Sequence, residues 1–228
     1  MVRRMPSENF RDAERAQLSM LARGEKRLLI WMAHRMPGWV NSDHLTLIGF
    51  AAMFAAGLCY WAARWDRRAL IGVIAALAVN WFGDSLDGTV ARVRNRQRPR
   101  YGFYVDHVTD ALGTSFLMGG LALSGYMNPF IALGLLIAYF LLSIEVYLAT
   151  YTIGTFHLSF WSFGPTELRL LLCVGNIALF NRPVVTLLGG KYLLFDVGGT
   201  IGIIGMAAMF VATSIGHTRA LYNAERLP

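Results

Sequence analysis

Residues 80–113 read NWFGDSLDGTVARVRNRQRPRYGFYVDHVTDALG, and this stretch decides how the rest of the chain is read. An apolar run closes on Asp84 and Asp87, a basic loop follows over 93–101, and a second run opens with Gly102, Asp106 and Asp110. On a helix, residues three or four apart share a face. Asp84 and Asp87 are so placed, and Gly88 and Arg92 continue the stripe in four-residue steps from Asp84. Gly102, Asp106 and Asp110 repeat the same spacing. Each helix therefore carries one face with two carboxylates. A short connection makes antiparallel neighbours, so the two faces are expected to meet near one membrane boundary.

Working outward, the chain has 228 residues, of which 55% are hydrophobic and 15% charged, with a mean hydropathy of +0.45. A soluble domain carries about 25% charge, so disorder is excluded and a simple soluble globule is disfavoured. A membrane helix needs about 20 mostly apolar residues. Six stretches qualify: 45–63, 69–90, 104–123, 129–151, 167–188 and 195–215. The fifth is the weakest, because Asn176, Asn181, Arg182 and Pro183 interrupt it. The expected fold is an all-α integral membrane protein with six transmembrane helices.

Charge orients the spans. Arg3, Arg4, Arg11, Arg15, Arg23, Lys26, Arg27, Arg35, Arg92, Arg94, Arg96, Arg98, Arg100, Arg169, Arg219 and Arg226 fall on one side. Against them stand Arg64, Arg67, Arg68, Arg182 and Lys191. The positive-inside rule puts both termini, and the carboxylates, at the cytoplasmic leaflet. The formal charge of +7 fits an anionic lipid surface, and no nucleic-acid partner is expected. Cys59 and Cys173 sit inside apolar runs and read as small buried hydrophobes.

Residues 1–37 are rich in charge and lack the apolar core of a signal peptide. Phe10, Leu18, Leu21, Leu28, Trp31 and Met32 recur at roughly helical spacing between Arg and Glu. That pattern predicts an amphipathic helix on the cytosolic leaflet, ended by Pro37-Gly38. The domain plan is then an interfacial helix over 1–40, a six-helix catalytic domain over 41–220 and a short cytosolic tail over 221–228.

Ionisable groups in a membrane helix mark function by default. Four gathered carboxylates would not all stay ionised in a low dielectric, and a hard divalent cation resolves the repulsion. Oxygen-only ligands indicate Mg²⁺, Mn²⁺ or Ca²⁺ rather than zinc. Gly88 and Ala91 leave room for a flat group to approach the backbone. Arg92 can hold a phosphate through two parallel hydrogen bonds. Together these describe phosphoryl-group chemistry.

Asp84, Asp87, Gly88, Ala91, Arg92, Gly102, Asp106 and Asp110 resemble, in type and order, the run D-x2-D-G-x2-A-R-x8-G-x3-D-x3-D of the CDP-alcohol phosphotransferases. The spacer between Arg92 and Gly102 is nine residues here against eight in that run. The six-span count, the N-terminal amphipathic helix and the Leu45-Thr46-Leu47-Ile48-Gly49 opening of the first span are similar to the family as well. The resemblance implies that a CDP-linked alcohol binds with its pyrophosphate on two metal ions, Mg²⁺ or Mn²⁺. An acceptor hydroxyl attacks the β-phosphorus and CMP leaves. It further implies Asp84, Asp87 and Asp106 as the main metal ligands. Asp110 would complete the second metal site and act as general base, Gly88, Ala91, Arg92 and Gly102 would line the CDP pocket, and the protein would be a homodimer.

Other polar residues carry two readings each. His107 sits one position off the carboxylate face and reads as a packing histidine or a substrate contact. Asn80 is one turn before Asp84 and would bond a ligand carboxylate or a neighbouring helix. Glu145 would pair across the bundle or line an acceptor pocket. Near Gly164-Pro165, Thr166 would cap a helix, Arg169 would meet an acceptor or lipid phosphate or anchor the span, and Glu167 would orient an acceptor hydroxyl. Arg94, Arg96, Arg98 and Arg100 are expected to hold the loop on anionic lipid. Gly198, Gly202 and Gly205 suggest close helix packing, and Trp31, Trp39, Trp61 and Trp65 suit interfacial belts.

Three functions compete. The first is CDP-alcohol phosphotransfer, with CDP-diacylglycerol as donor and a small alcohol or polyol phosphate as acceptor. CDP-choline or CDP-ethanolamine with a lipid hydroxyl is its variant. The second, a cation transporter using the aspartates, calls for polar residues through the depth of the bundle, whereas the acids gather at one end. The third, an intramembrane prenyltransferase, calls for two separated Asp-rich motifs and a longer chain.

Overall fold

The computed structural model describes residues 22–153, 165–187 and 189–225. Seven helices occur among them: α1 (Ala22–Arg35), α2 (Ser42–Ala62), α3 (Ala69–Val93), α4 (Pro99–Leu123), α5 (Pro129–Ile153), α6 (Pro165–Asn181) and α7 (Leu194–Ala224). An antiparallel hairpin of β1 (Val184–Leu187) and β2 (Gly190–Leu193) joins the last two, with Val184 opposite Leu193 and Leu187 opposite Gly190.

Local chemistry sets the helix ends. Asn41 Oδ1 accepts the His44 backbone N–H at 3.0 Å, and His44 Nδ1 accepts that of Asn41, so α2 opens on a reciprocal cap. Pro99 starts α4, where its missing N–H costs nothing. Gly125, with φ of 81°, turns the chain from α4 into α5.

The centre of the bundle is α2, which packs against both α3 and α4, while α3 and α4 hardly touch each other. Two glycine crossings make this geometry. A Cβ added to Gly83 would lie 2.6 Å from the Leu45 carbonyl oxygen and from the Gly49 nitrogen, so α3 meets α2 backbone to backbone. A Cβ on Gly120 would overlap the Gly57 carbonyl, which gives the same kind of contact between α4 and α2. Around these crossings Ala56, Tyr60, Leu70, Val73, Leu77, Leu117, Leu121 and Leu179 form one core. A second cluster joins Leu29 and Ala33 of α1 to Leu45, Leu86 and Val90.

Large apolar side chains such as Leu58, Ile71, Leu112, Leu133, Leu148, Ile177, Ile204 and Val211 are exposed along the outside. Four helices, α2, α3, α5 and α7, are long and apolar enough to cross a membrane. The chain is an integral membrane protein, nearly all helical, as its composition led one to expect.

Several boundaries depart from the expected ones. The fifth stretch, 167–188, is not a single helix: α6 ends at Asn181, and the chain passes through Arg182-Pro183 into β1. Proline has no N–H for the helix ladder and disfavours helical geometry in the residue before it. At 17 residues, α6 is about 25 Å long. By contrast, α7 runs through to Ala224 and takes in residues 221–224 of the expected tail. In α1, Leu29 and Ala33 are buried while Lys26, Arg27, Leu28 and Trp31 face outward. Phe10, Leu18 and Leu21 of the expected amphipathic segment lie outside the described residues, as do Gly164 and Arg226.

Candidate active site

The last turns of α3 carry Asp84 and Asp87, and the first turns of α4 carry Asp106 and Asp110. Because α3 and α4 each lean on α2 rather than on one another, a cleft stays open between them. Its lining is Thr46, Gly49, Phe50, Met53, Asn80, Asp84, Asp87, Thr109 and Asp110. Carboxylate oxygens of Asp84, Asp106 and Asp110 lie within 4.8 Å of one another. The expected meeting of the two acidic faces is present, with α2 as the floor between them.

Asp87 is held differently. Its Oδ2 accepts the Thr46 hydroxyl at 2.6 Å, and its Oδ1 accepts the backbone N–H of Gly88. Asp84 Oδ2 accepts from Arg169 Nη2 at 2.5 Å, which brings the first turns of α6 to the cleft. The donors are all oxygen, so Asp84, Asp106 and Asp110 fit a hard divalent cation and not zinc.

The residues beside the acids fall into two groups. Arg92 Nη2 donates to Thr89 Oγ1 at 3.0 Å, and a Cβ on Gly88 would stand 3.4 Å from Arg92 Nη1. The Arg92 guanidinium thus lies over the backbone of Gly88, where an added methyl would touch it at ordinary contact distance. A Cβ on Gly102 would meet nothing within 4 Å, so that backbone is open, and Ala91 is half-buried. The two acidic helices are joined by the turn 94–98, where Asn95 adopts a left-handed φ of 52°.

His107 is turned toward α5. Its ring stacks on Phe103 with centroids 4.1 Å apart and meets Tyr147 edge-on at 4.7 Å, while Nδ1 lies 2.6 Å from the Phe103 carbonyl. Asn80 Nδ2 donates to the Gly49 carbonyl at 3.0 Å, so it ties α3 to α2. Glu145, buried in α5, pairs with His217 Nδ1 on α7 at 2.5 Å, which is the cross-bundle pairing of its two readings. Glu167 is half-buried in the first turn of α6.

Further expected residues have visible neighbours. The Arg94 guanidinium turns back onto the chain and donates to the carbonyls of Met36 at 2.8 Å, Pro37 at 3.0 Å and Val40. Arg98 pairs with Asp43 and stacks over Tyr101. Of the three glycines in α7, Gly202 faces Leu135, whereas Gly198 and Gly205 face open space. Sequence reasoning also missed Glu25, whose Oε1 accepts from Trp81 Nε1 at 2.7 Å and Thr166 Oγ1 at 2.8 Å. Thr166 therefore spends its hydroxyl on Glu25.

The sequence model of the family described as CDP-alcohol phosphatidyltransferase matches residues 39–215. The chain belongs to the CDP-alcohol phosphatidyltransferase family. No curated protein matches it at a significant level. The matched region holds the whole acidic cleft and Arg169, while α1 stands outside it. Membership makes the protein a transferase of the CDP-alcohol phosphotransferase kind, acting between a CDP-alcohol donor and an alcohol acceptor in phospholipid synthesis. The family is generally metal-dependent, in keeping with the oxygen donors gathered in the cleft.

Proposed function

We propose that this phosphatidyltransferase moves a substituted phosphate from CDP-diacylglycerol to the hydroxyl of a small alcohol or polyol phosphate, releasing CMP. The observation that carries the reading is the convergence of Asp84, Asp106 and Asp110 next to Arg169 at one end of a membrane bundle of this family.

Asp84, Asp87, Asp106 and Asp110 would hold two divalent cations, Mg²⁺ or Mn²⁺. Bound there, the ions neutralise charge on the donor's phosphates as it builds. Arg92 takes a phosphate oxygen pair, and Gly88, Ala91 and Gly102 keep the backbone accessible to the nucleotide. Asp110 receives the proton of the acceptor hydroxyl. The new bond joins the acceptor oxygen to the β-phosphorus, and the bond from that phosphorus to the CMP oxygen breaks, so CMP departs with the electron pair. Arg169 and Glu167 contact the acceptor or its phosphate, while His107 supports α4 through its aromatic neighbours.

In the orientation proposed, six spans cross the bilayer, both termini are cytoplasmic and the cleft opens at the cytosolic leaflet, where a soluble nucleotide and a lipid tail can meet. Here α1 lies on anionic lipid, and the functional unit is a homodimer. The deciding experiment is CMP release from radiolabelled donors by the purified protein across a panel of acceptors. CDP-diacylglycerol is expected to turn over. Turnover of CDP-choline or CDP-ethanolamine instead would move the donor assignment, and metal-dependent ion flux without nucleotide would replace the transferase by a transporter.

A further inference from the structure

We infer that Glu25, on α1 and outside the family-matched region, is a positioning residue that sets Arg169 against Asp84; the inference rests on the reading of the cleft as the transferase site. A single carboxylate oxygen, Glu25 Oε1, accepts from Trp81 on α3 and Thr166 on α6. Trp81 stands three residues before Asp84, and Thr166 three residues before Arg169. Asp84 and Arg169 are the two residues joined by the ion pair between those same helices.

The chemistry of the junction is specific. The indole N–H is a donor only, and the threonine hydroxyl here donates, so the group between them must be an acceptor. Charged acceptors make the stronger bonds, particularly where water is scarce. The rest of α1 fixes the carboxylate in place. Glu25, Leu29 and Ala33 follow one another in four-residue steps, and Leu29 and Ala33 are buried against Leu86 and Val90 of α3. Meanwhile α6 is a short helix that packs chiefly on α3. Glu25 therefore pins the first turn of α6, the turn that delivers Arg169 to the acidic cleft.

A merely structural role and a positioning role differ in sign. General loosening of the bundle would weaken metal binding. Release of Arg169 from Asp84 frees a carboxylate and strengthens it. The test uses the full chain in nanodiscs, with Mn²⁺ titrated and followed by electron paramagnetic resonance, and CMP release measured beside it. Glu25→Ala is expected to tighten Mn²⁺ binding about threefold, on the order of one hydrogen-bonded contact, and to lower kcat about tenfold with donor KM within about twofold. Glu25→Gln, which keeps the acceptor oxygen, is expected to restore both values. Thr166→Val removes one arm only and is expected to give a smaller shift in the same direction. In an Arg169→Ala background, Glu25→Ala is expected to leave the Mn²⁺ affinity unchanged.

Weaker Mn²⁺ binding in Glu25→Ala and Thr166→Val, failure of Glu25→Gln to restore it, or a further shift in the Arg169→Ala background would overturn the inference. If the wild type releases no CMP from any donor, the transferase reading fails, and the Mn²⁺ series still decides whether Glu25 acts through Arg169.

Discussion

Arg169 Nη2 on α6 lies 2.5 Å from Asp84 Oδ2 on α3, so a guanidinium shares the carboxylates of a cleft whose oxygen donors could hold a hard cation. The two residues stand 85 positions apart and meet at only 15% and 24% side-chain exposure. An arginine cannot shed its charge, so a metal ion bound by Asp84 would compete with Arg169 for that carboxylate.

That competition predicts opposite effects on binding and turnover. Arg169→Ala is expected to tighten Mn²⁺ binding several-fold while lowering kcat about a hundredfold or more, on the scale of losing a charged contact to the reacting groups. Isothermal titration with Mn²⁺ beside a CMP-release assay checks both. Weaker metal binding in the variant would count against the pairing as drawn.

The aspartates are expected to separate by role. Asp84→Asn, Asp87→Asn and Asp106→Asn should each abolish turnover and blunt its metal dependence, whereas Asp110→Asn should stop the chemistry and still bind some CDP. Full activity in any one of them contradicts the assignment. Thr46 adds a finer test. Thr46→Val removes the hydroxyl that Asp87 accepts and is expected to raise the Mg²⁺ concentration needed for half-maximal rate with little loss of maximal rate.

How much of this was legible in the chain depends on the kind of contact involved. Asp84, Asp87, Asp106 and Asp110 could be read because helix periodicity alone puts each pair on one face, and a short loop joins the helices. The crossing glycines, Gly83 and Gly120, could not, because their role depends on which helix lies opposite. The end of α6 was misplaced although Arg182-Pro183 marked it, because hydropathy over a long window averages across the break. Glu25 was hidden for another reason. An acid among Lys26, Arg27 and Arg23 looks like the solvated face of an amphipathic helix until Trp81 and Thr166 are seen converging on it.

Gly88 and Arg92 form a testable pair. Gly88→Val would press on the Arg92 guanidinium, since even a Cβ there stands 3.4 Å from Nη1. The donor KM is expected to rise several-fold in Gly88→Val and in Arg92→Ala alike. The double variant is expected to be little worse than either single one, because both act on the same guanidinium. Additive losses would separate the two residues.

The helix crossing offers a prediction about stability. Gly120→Ala places a methyl into the Gly57 carbonyl, and overpacking of this kind costs about 1–3 kcal/mol. A lower thermal unfolding midpoint of the detergent-solubilised protein is expected. Gly102→Ala, whose added carbon meets nothing, should leave that midpoint unchanged. Equal midpoints for Gly120→Ala and the wild type would contradict the close approach of α2 and α4.

The most direct measurement of the central claim is CMP released from a radiolabelled CDP-alcohol by the purified protein, before and after chelation of divalent cations. Release is expected to vanish on chelation, to return with added Mg²⁺ or Mn²⁺, and to be absent in Asp106→Asn under every condition. Release that survives chelation, or persists in Asp106→Asn, would contradict it.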